Sequence, residues 1–292
     1  MKIGLQVNPR KPRAIEFGQR LVDAVAGRAD LVISDEAASV GRDLPHRALA
    51  EMRPDVVVAI GGDGTFLFTL GRTHVPVLPI NAGTFGVLAE VTAENPVEFD
   101  AAVERLLSGF YHLEERMKLA ANLGGPPLPD ATNEFVVHAA QAGKMGLFEV
   151  EFDGQVVGRI RADGLIVATP TGSTAYSLSS FGPIVDPGLD ALILTAIAPF
   201  RAEARAIVVE PLHSLGLRNV LPGRDAIAIA DGQTEFPMAP NATLTVYRSP
   251  RRASFVRFGS TFFYRLRGKR ILPWSEDLGR GGAGVADVPP PP

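Results

Sequence analysis

The chain has 292 residues, 46% hydrophobic and 21% charged, with 29 basic against 32 acidic side chains and no cysteine. That size allows one large or two ordinary domains, with a core that needs neither disulfide nor structural metal. The composition excludes a mostly disordered chain, and the missing cysteines exclude disulfides, thiolate nucleophiles and cysteine metal sites. A net charge of −3 gives no reason to expect nucleic acid or an anionic membrane as partner. Residues 1–8 read as a short strand, unlike an export signal, and no run of about 18 apolar residues occurs. A cytoplasmic protein without a membrane span is expected.

Strand and helix signals alternate over the first ninety residues. Residues 3–7 and 30–34 read as strands, 14–26 as an amphipathic helix carrying Phe17, Leu21, Val22 and Val25, and 45–52 as helical. Asp55-Val56-Val57-Val58-Ala59-Ile60 is a continuous run of the kind buried on both faces of a parallel sheet, and 75–80 repeats it. Asn95-Pro96 opens a helix, with a capping residue, proline at the first helical position and Glu98 in the first turn. Beyond Gly109 the pattern turns to strands: 134–139, 147–153, 156–160, 165–168, 206–209, 226–230 and 243–247. Asp153-Gly154 marks a hairpin turn between two of them. Residues 254–266 read as further strand returning to the first domain, and the Arg251-Arg252 pair and the 265–270 cluster as solvated. The expected domains are an α/β domain over 1–108, a β-rich domain over 109–250, a returning segment at 251–278 and a disordered tail at 279–292.

Chemistry concentrates in two segments. Gly61-Gly62-Asp63-Gly64-Thr65 follows the buried strand and precedes a helix, the place where open parallel sheets bind ligands. Glycines there let backbone N–H groups approach phosphate oxygens. A carboxylate in such a loop repels phosphate, so Asp63 reads either as a proton acceptor or metal holder, or as a helix-capping turn residue. The loop is neither G-x-x-x-x-G-K-[ST] nor G-x-G-x-x-G. The second segment, Asp163-Gly164-Leu165-Ile166-Val167-Ala168-Thr169-Pro170-Thr171-Gly172-Ser173-Thr174-Ala175-Tyr176, runs from strand into a turn dense in hydroxyls, suited to ribose, phosphate or adenine. Asn133-Glu134, alone, reads as a solvated turn pair. The five histidines show no metal-ligand spacing, and no G-x-S-x-G elbow supports a hydrolase.

In order and spacing, the 61–65 loop, Asn133-Glu134 and the 163–176 stretch resemble the NAD kinase family. Lesser matches are Asn81-Ala82-Gly83-Thr84-Phe85-Gly86, the strand Arg116-Met117-Lys118-Leu119, Gly182-Pro183-Ile184 and Asp231-Gly232-Gln233. The resemblance covers about residues 1–270. It implies a phosphofructokinase- or diacylglycerol-kinase-like α/β domain with a parallel sheet, followed by a mostly β domain. It further implies transfer of the γ-phosphoryl group of ATP to the 2′-hydroxyl of the adenosine ribose of NAD, giving NADP. A divalent cation, Mg²⁺ or similar, would accompany the nucleotide. Asp63 would accept the proton, with Gly62, Gly64 and Thr65 completing the loop. Asn133 and Glu134 would hold ribose and adenine atoms, and Lys144, Arg161 and Asp163 would line the dinucleotide site. Thr174, Ala175, Tyr176, Ser177, Leu178 and Ser179 would cradle the adenosine end, completed by Ala198 and Gln233. A homo-oligomer, dimer or tetramer, is implied. The chain departs from the family pattern at Ser180-Phe181, Ala196, Phe200 and Phe68. The 61–65 loop is shared with lipid and sugar kinases, which is one alternative. A non-catalytic dinucleotide-binding regulator is another.

Overall fold

The computed structural model describes residues 1–272 apart from 42, 84, 85, 94, 142, 202, 260 and 270. The tail expected at 279–292, and positions 273–278 of the returning segment, lie outside the described residues. The chain divides into two compact units, the first formed by Met1–Phe66, Val75–Glu114 and the residues from Phe255 on, the second by Leu67–His74 and Glu115–Ser254. Among the described residues no helix is long and apolar enough to cross a membrane.

The first unit is built from β1 (Lys2–Val7), α1 (Pro12–Val25), β2 (Asp30–Ser34), β3 (His46–Arg47), β4 (Val56–Gly61), the start of α2 (Asp63–Leu70), β5 (Val77–Asn81), β6 (Val91–Thr92) and α3 (Pro96–Leu107). Its parallel strands run in the order β3-β2-β1-β4-β5, with β6 beside β5. Every residue of β4 is buried, as its unbroken apolar run requires of a central parallel strand. Helices α1 and α3 meet through Phe17 and Phe99, whose rings sit edge to face at 4.9 Å. The Asn95 side chain caps α3 by accepting from the Val97 N–H at 3.0 Å, and Pro96 takes the first turn. Residues 45–52 are not the expected helix. Ile33 donates to the Pro45 carbonyl, β3 pairs with β2, and only one 3₁₀ turn forms at Leu49–Glu51. The window between Pro45 and Pro54 is too short to propagate a helix against a strand pairing.

The second unit contains most of β7 (His112–Asn122), β8 (Glu134–Ala139), β9 (Gly146–Phe152), β10 (Gln155–Ala162), β11 (Gly164–Ala168), α4 (Tyr176–Ser179), β12 (Leu192–Ile197), β13 (Ile207–Val209), β14 (Leu215–Asn219), β15 (Ala226–Ala230), β16 (Thr234–Met238) and most of β17 (Thr243–Arg257). One antiparallel sheet runs β13-β12-β11-β8-β15-β16, and a second ladder runs β10-β9-β14-β17. Alternate residues of both, among them Phe135, Val137, Leu165, Val167, Phe148, Val150, Leu217 and Val246, form one buried core. Asp153 and Gly154 both take positive φ, 49° and 79°, and close the β9–β10 hairpin as their sequence predicts.

Residues 254–266 are not a single further strand. β17 extends to Arg257, pairing Phe255 with Val77 of the first unit, and α5 (Phe262–Gly268) follows, its start capped by the Thr261 hydroxyl. The expectation that the 265–270 arginines are solvated also fails at Arg265. It is 9% exposed and sits with Arg257 against Glu90 and Glu114. Arg270 lies outside the described residues.

Candidate active site

In the first unit the chain winds outward from β1 to β2 and β3, then returns to the other side of β1 as β4. Between β1 and β4 the winding reverses, and the carboxyl ends of strands flanking such a reversal leave a crevice for ligands. The Gly61-Gly62-Asp63-Gly64-Thr65 loop leaves β4 at that end. Asp63 Oδ2 accepts from the Val87 N–H at 2.9 Å, and Oδ1 from the Leu88 N–H at 3.4 Å. Burial raises the Asp63 pKa, opposed by these two N–H groups and by the charges of Lys269 and Lys11. A Cβ at Gly86 would stand 3.1 Å from Asp63 Oδ1, so that glycine lets the backbone at 86–88 close on the carboxylate. Below it, Arg257 is a strut. Its Nη1 donates to the Leu88 carbonyl at 3.0 Å and to Glu90 at 3.2 Å, and its Nε donates to Glu114 at 2.5 Å.

Gly62 is half-buried and Gly64 exposed, whereas Thr65 is buried. The Thr65 hydroxyl serves the turn, accepting from Asn8 Nδ2 at 3.2 Å and from the Gly62 N–H at 3.5 Å. Just beyond α2, the Arg72 guanidinium stacks 3.7 Å above the ring of Phe68 in that helix.

In the second unit Asn133 and Glu134 are not the solvated turn pair their residue types suggest. They are 7% and 5% exposed. Asp231, half-buried with φ of 50°, accepts from the backbone N–H groups of Thr132, Asn133 and Glu134 at 2.9, 2.7 and 3.2 Å. The Asp231 N–H donates back to the Glu134 carbonyl at 3.0 Å. This clamp fixes the backbone and turns both side chains inward, where Asn133 Oδ1 and Glu134 Oε2 have no hydrogen-bond partner among the described residues. Polar atoms orphaned in this way await a ligand or solvent. Burial first, then the neighbouring Asp231 charge, pushes the Glu134 carboxyl up to about 8, against a hydrogen bond from the Tyr176 N–H. Lys118, 4% exposed, donates to the Leu70 carbonyl at 2.9 Å and lies within electrostatic reach of Asp231 and Asp130.

The hydroxyl-rich turn packs against the same clamp. Thr169 donates through its N–H to Asn133 O at 2.8 Å and through its hydroxyl to Thr132 O at 2.7 Å. A Cβ at Gly172 would lie 2.1 Å from Asn133 O, so no side chain fits there. Several hydroxyls are consumed structurally: Ser173 bonds Pro170 and Val185, and the buried Ser177 hydroxyl pairs with Thr195 at 2.9 Å. Tyr176 and Ser179 are exposed, while Thr174, Ala175 and Leu178 are half-buried. Gln233 is exposed just beyond Asp231.

A separate group forms at the β10–β11 turn. The Phe200 N–H donates to the Arg161 carbonyl at 2.8 Å and its ring lies 5.4 Å from the Arg161 guanidinium. The Asp163 N–H donates to the Ile197 carbonyl, which brings Ala198, held at φ of 44°, into the same group. Lys144 is exposed before β9, its N–H donating to the Gln141 carbonyl. Sequence reasoning gave no role to Asn8, Lys11, Lys118 or Arg257. It matched Asp231 without assigning what it does. The Asn8-Pro9-Arg10-Lys11-Pro12 loop directly after a predicted strand was a readable signal; the contacts of the other three are long-range. Among the described residues no cluster of three or more His, Asp or Glu side chains could cage a metal ion.

Two family models match the chain: the ATP-NAD kinase N-terminal domain over residues 3–111 and the ATP-NAD kinase C-terminal domain over 132–258. Among curated relatives, the NAD kinase of Thermococcus sibiricus is 37% identical over 280 residues, covering 92% of this chain and 99% of its own. That of Methanopyrus kandleri is 39% identical, covering 90% and 94%. The crystal structure of an NAD kinase from Archaeoglobus fulgidus in complex with ATP superposes with TM-score 0.73 at 28% identity, covering 92% of this chain and 98% of that one. Yeast NADH kinase complexed with NADH shares the fold, with TM-score 0.82 at 21% identity and coverage of 98% and 90%.

Proposed function

The chain belongs to the NAD kinase family, and from that premise we propose that it transfers the γ-phosphoryl group of ATP to the 2′-hydroxyl of the adenosine ribose of NAD. The ribose oxygen bonds to phosphorus as the bridging P–O bond breaks. ADP leaves with the electron pair of that bond, and the hydroxyl proton passes to Asp63. The observation that carries this reading is the Asp63 carboxylate at the carboxyl end of β4, held by two backbone N–H groups and with its pKa raised by burial. A more basic carboxylate is a better proton acceptor at neutral pH.

Asn133 and Glu134 take polar atoms of the adenosine moiety, a role supported by their orphaned buried oxygens. At neutral pH Glu134 is protonated, so it donates one hydrogen bond as well as accepting. Tyr176 supplies an aromatic face, and Thr174, Ala175, Ser177, Leu178 and Ser179 shape the turn that carries it. Gln233, Lys144, Arg161, Asp163 and Ala198 line the remainder of the dinucleotide site. A divalent cation, Mg²⁺ in this reading, would accompany the nucleotide, with Asp63 the one carboxylate of the 61–65 loop that could help hold it. Such a cation neutralises charge on the phosphates.

The protein assembles as a homo-oligomer. Supporting this, Val156 and Val157 on edge strand β10 are 54% and 60% exposed, and Ile207 and Val208 on edge strand β13 are 47% and 48% exposed. The test of function is a coupled assay with ATP, Mg²⁺ and NAD, NADP being read out by an NADP-specific dehydrogenase. NADP formation is expected. No NADP, with phosphorylation of diacylglycerol or a sugar phosphate instead, would overturn the reading.

A further inference from the structure

The loop between β1 and α1 stands at the same crevice as Asp63 and carries a cation that the reaction above does not use. It is rigidly built. The Asn8 N–H donates to the Ile60 carbonyl at 2.9 Å, tying the end of β1 to β4. Asn8 Oδ1 accepts from the Arg10 N–H at 3.0 Å, and the Asn8 carbonyl from the Lys11 N–H at 3.2 Å, which closes a turn. Asn8 Nδ2 reaches Thr65, joining this turn to the 61–65 loop. Pro12 then fixes the backbone immediately after Lys11 and starts α1. A residue placed by so many local constraints has its Cα position set before any ligand arrives.

The Lys11 side chain crosses from the β1 loop toward the loops after β4 and β5. A Cβ added at Gly62 would lie 3.1 Å from Lys11 Nζ, and one added at Gly83 would lie 2.7 Å from it. The ammonium therefore rests over the bare backbone of two glycines, one beside Asp63 and one beyond Asn81. Asn81 pins its side of this cradle, its Oδ1 accepting from the Gly83 N–H at 3.1 Å and its Nδ2 donating to the Gly83 carbonyl at 2.8 Å. Lys11 is half-buried, and among the described residues its ammonium makes no hydrogen bond or ion pair, Asp63 included. A half-buried ammonium that makes no hydrogen bond or ion pair among the described residues and feels only the field of Asp63, at the carboxyl ends of three adjacent parallel strands, is suited to an anion.

We propose that Lys11 is a further catalytic residue of this reaction, its ammonium binding the oxygens of the phosphoryl group in transfer above Gly62 and Gly83. This rests on the NAD kinase reading and adds to it the group that neutralises the migrating charge. The ligand class is a terminal phosphoanhydride phosphoryl. Lys11 forms no covalent bond and moves no proton. It lowers the barrier because charge spread over the equatorial oxygens meets a fixed cation, and it offsets the repulsion that Asp63 alone would impose.

The test compares the full-length wild type with Lys11→Met and Lys11→Arg, reading kcat, KM for NAD, MgATP affinity by calorimetry, and the melting midpoint. Lys11→Met is expected to lose about 100-fold in kcat and bind MgATP about tenfold more weakly, with KM for NAD within about twofold and the midpoint unchanged. Lys11→Arg keeps the charge and is expected to recover at least about tenfold of that loss. Two results overturn the assignment: kcat of Lys11→Met within about threefold of wild type, or an equal loss in both variants with MgATP affinity untouched. The wild-type assay separates the two levels. No NADP from the wild type refutes the kinase reading, whereas NADP made equally by wild type and Lys11→Met refutes only the role of Lys11.

Discussion

Asp63 and Glu134 are both carboxyl groups with raised pKa, and the proposed function gives them opposite roles because their neighbours differ. Asp63 keeps two N–H donors and two nearby lysines, which limit the effect of burial. As the proposed proton acceptor it would act ionised, so kcat is expected to fall as pH drops through a midpoint above that of an ordinary aspartate, and a pH–rate profile checks this. Glu134, buried and facing Asp231, is pushed up to about 8 from the ordinary 4.5. Below 4.5 the folded and unfolded chains both hold this proton, and between 4.5 and about 8 only the folded chain does. Stability therefore falls as pH rises across that window and levels off above it. Glu134→Gln imitates the protonated form. Melting curves are expected to show the variant more stable than wild type at about pH 9, with the two converging at about pH 4.

At the scale of elements, the Asn133-Glu134 segment is held by one side chain from a distant turn. Asp231→Ala would strand three backbone donors, each a buried group whose lost partner costs about 1–3 kcal/mol. Urea unfolding is expected to show a loss of about 3 kcal/mol, with a raised KM for NAD. This clamp also marks where legibility ended. The central strand at 55–60, the Asn95-Pro96 helix start and the Asp153-Gly154 turn were readable, because unbroken apolar runs, caps and positive-φ turns are local physics. The α/β unit followed by a β unit was readable for the same reason. The 45–52 window and the 254–266 segment misled, since a strand pairing overrode helical spacing in one and the Thr261 cap overrode strand-like aromatics in the other. Asn133-Glu134 read alone as a solvated pair because the contacts that bury it come from residues 169 and 231. Of the candidate site, the 61–65 loop was legible from position after a buried strand. The Val87 and Leu88 N–H groups that hold Asp63 were not, being 24 and 25 residues away.

For the molecule as a whole, the reversal of winding between β1 and β4 decides where chemistry can occur in the first unit. It sets the loops that carry Lys11 and Asp63 side by side with no contribution from local propensity. The exposed valines of β10 bear on assembly. Light scattering is expected to give a mass of two or four 31.1 kDa chains, and Val156→Asp with Val157→Asp to reduce it. The proposed function turns on Asp63 as the proton acceptor. The most direct measurement is NADP formation by Asp63→Asn beside wild type, with NAD binding and the melting midpoint recorded for both. A fall in kcat of about 100-fold or more is expected, with NAD still bound and the fold retained. NADP formed at the wild-type rate by Asp63→Asn would contradict that role.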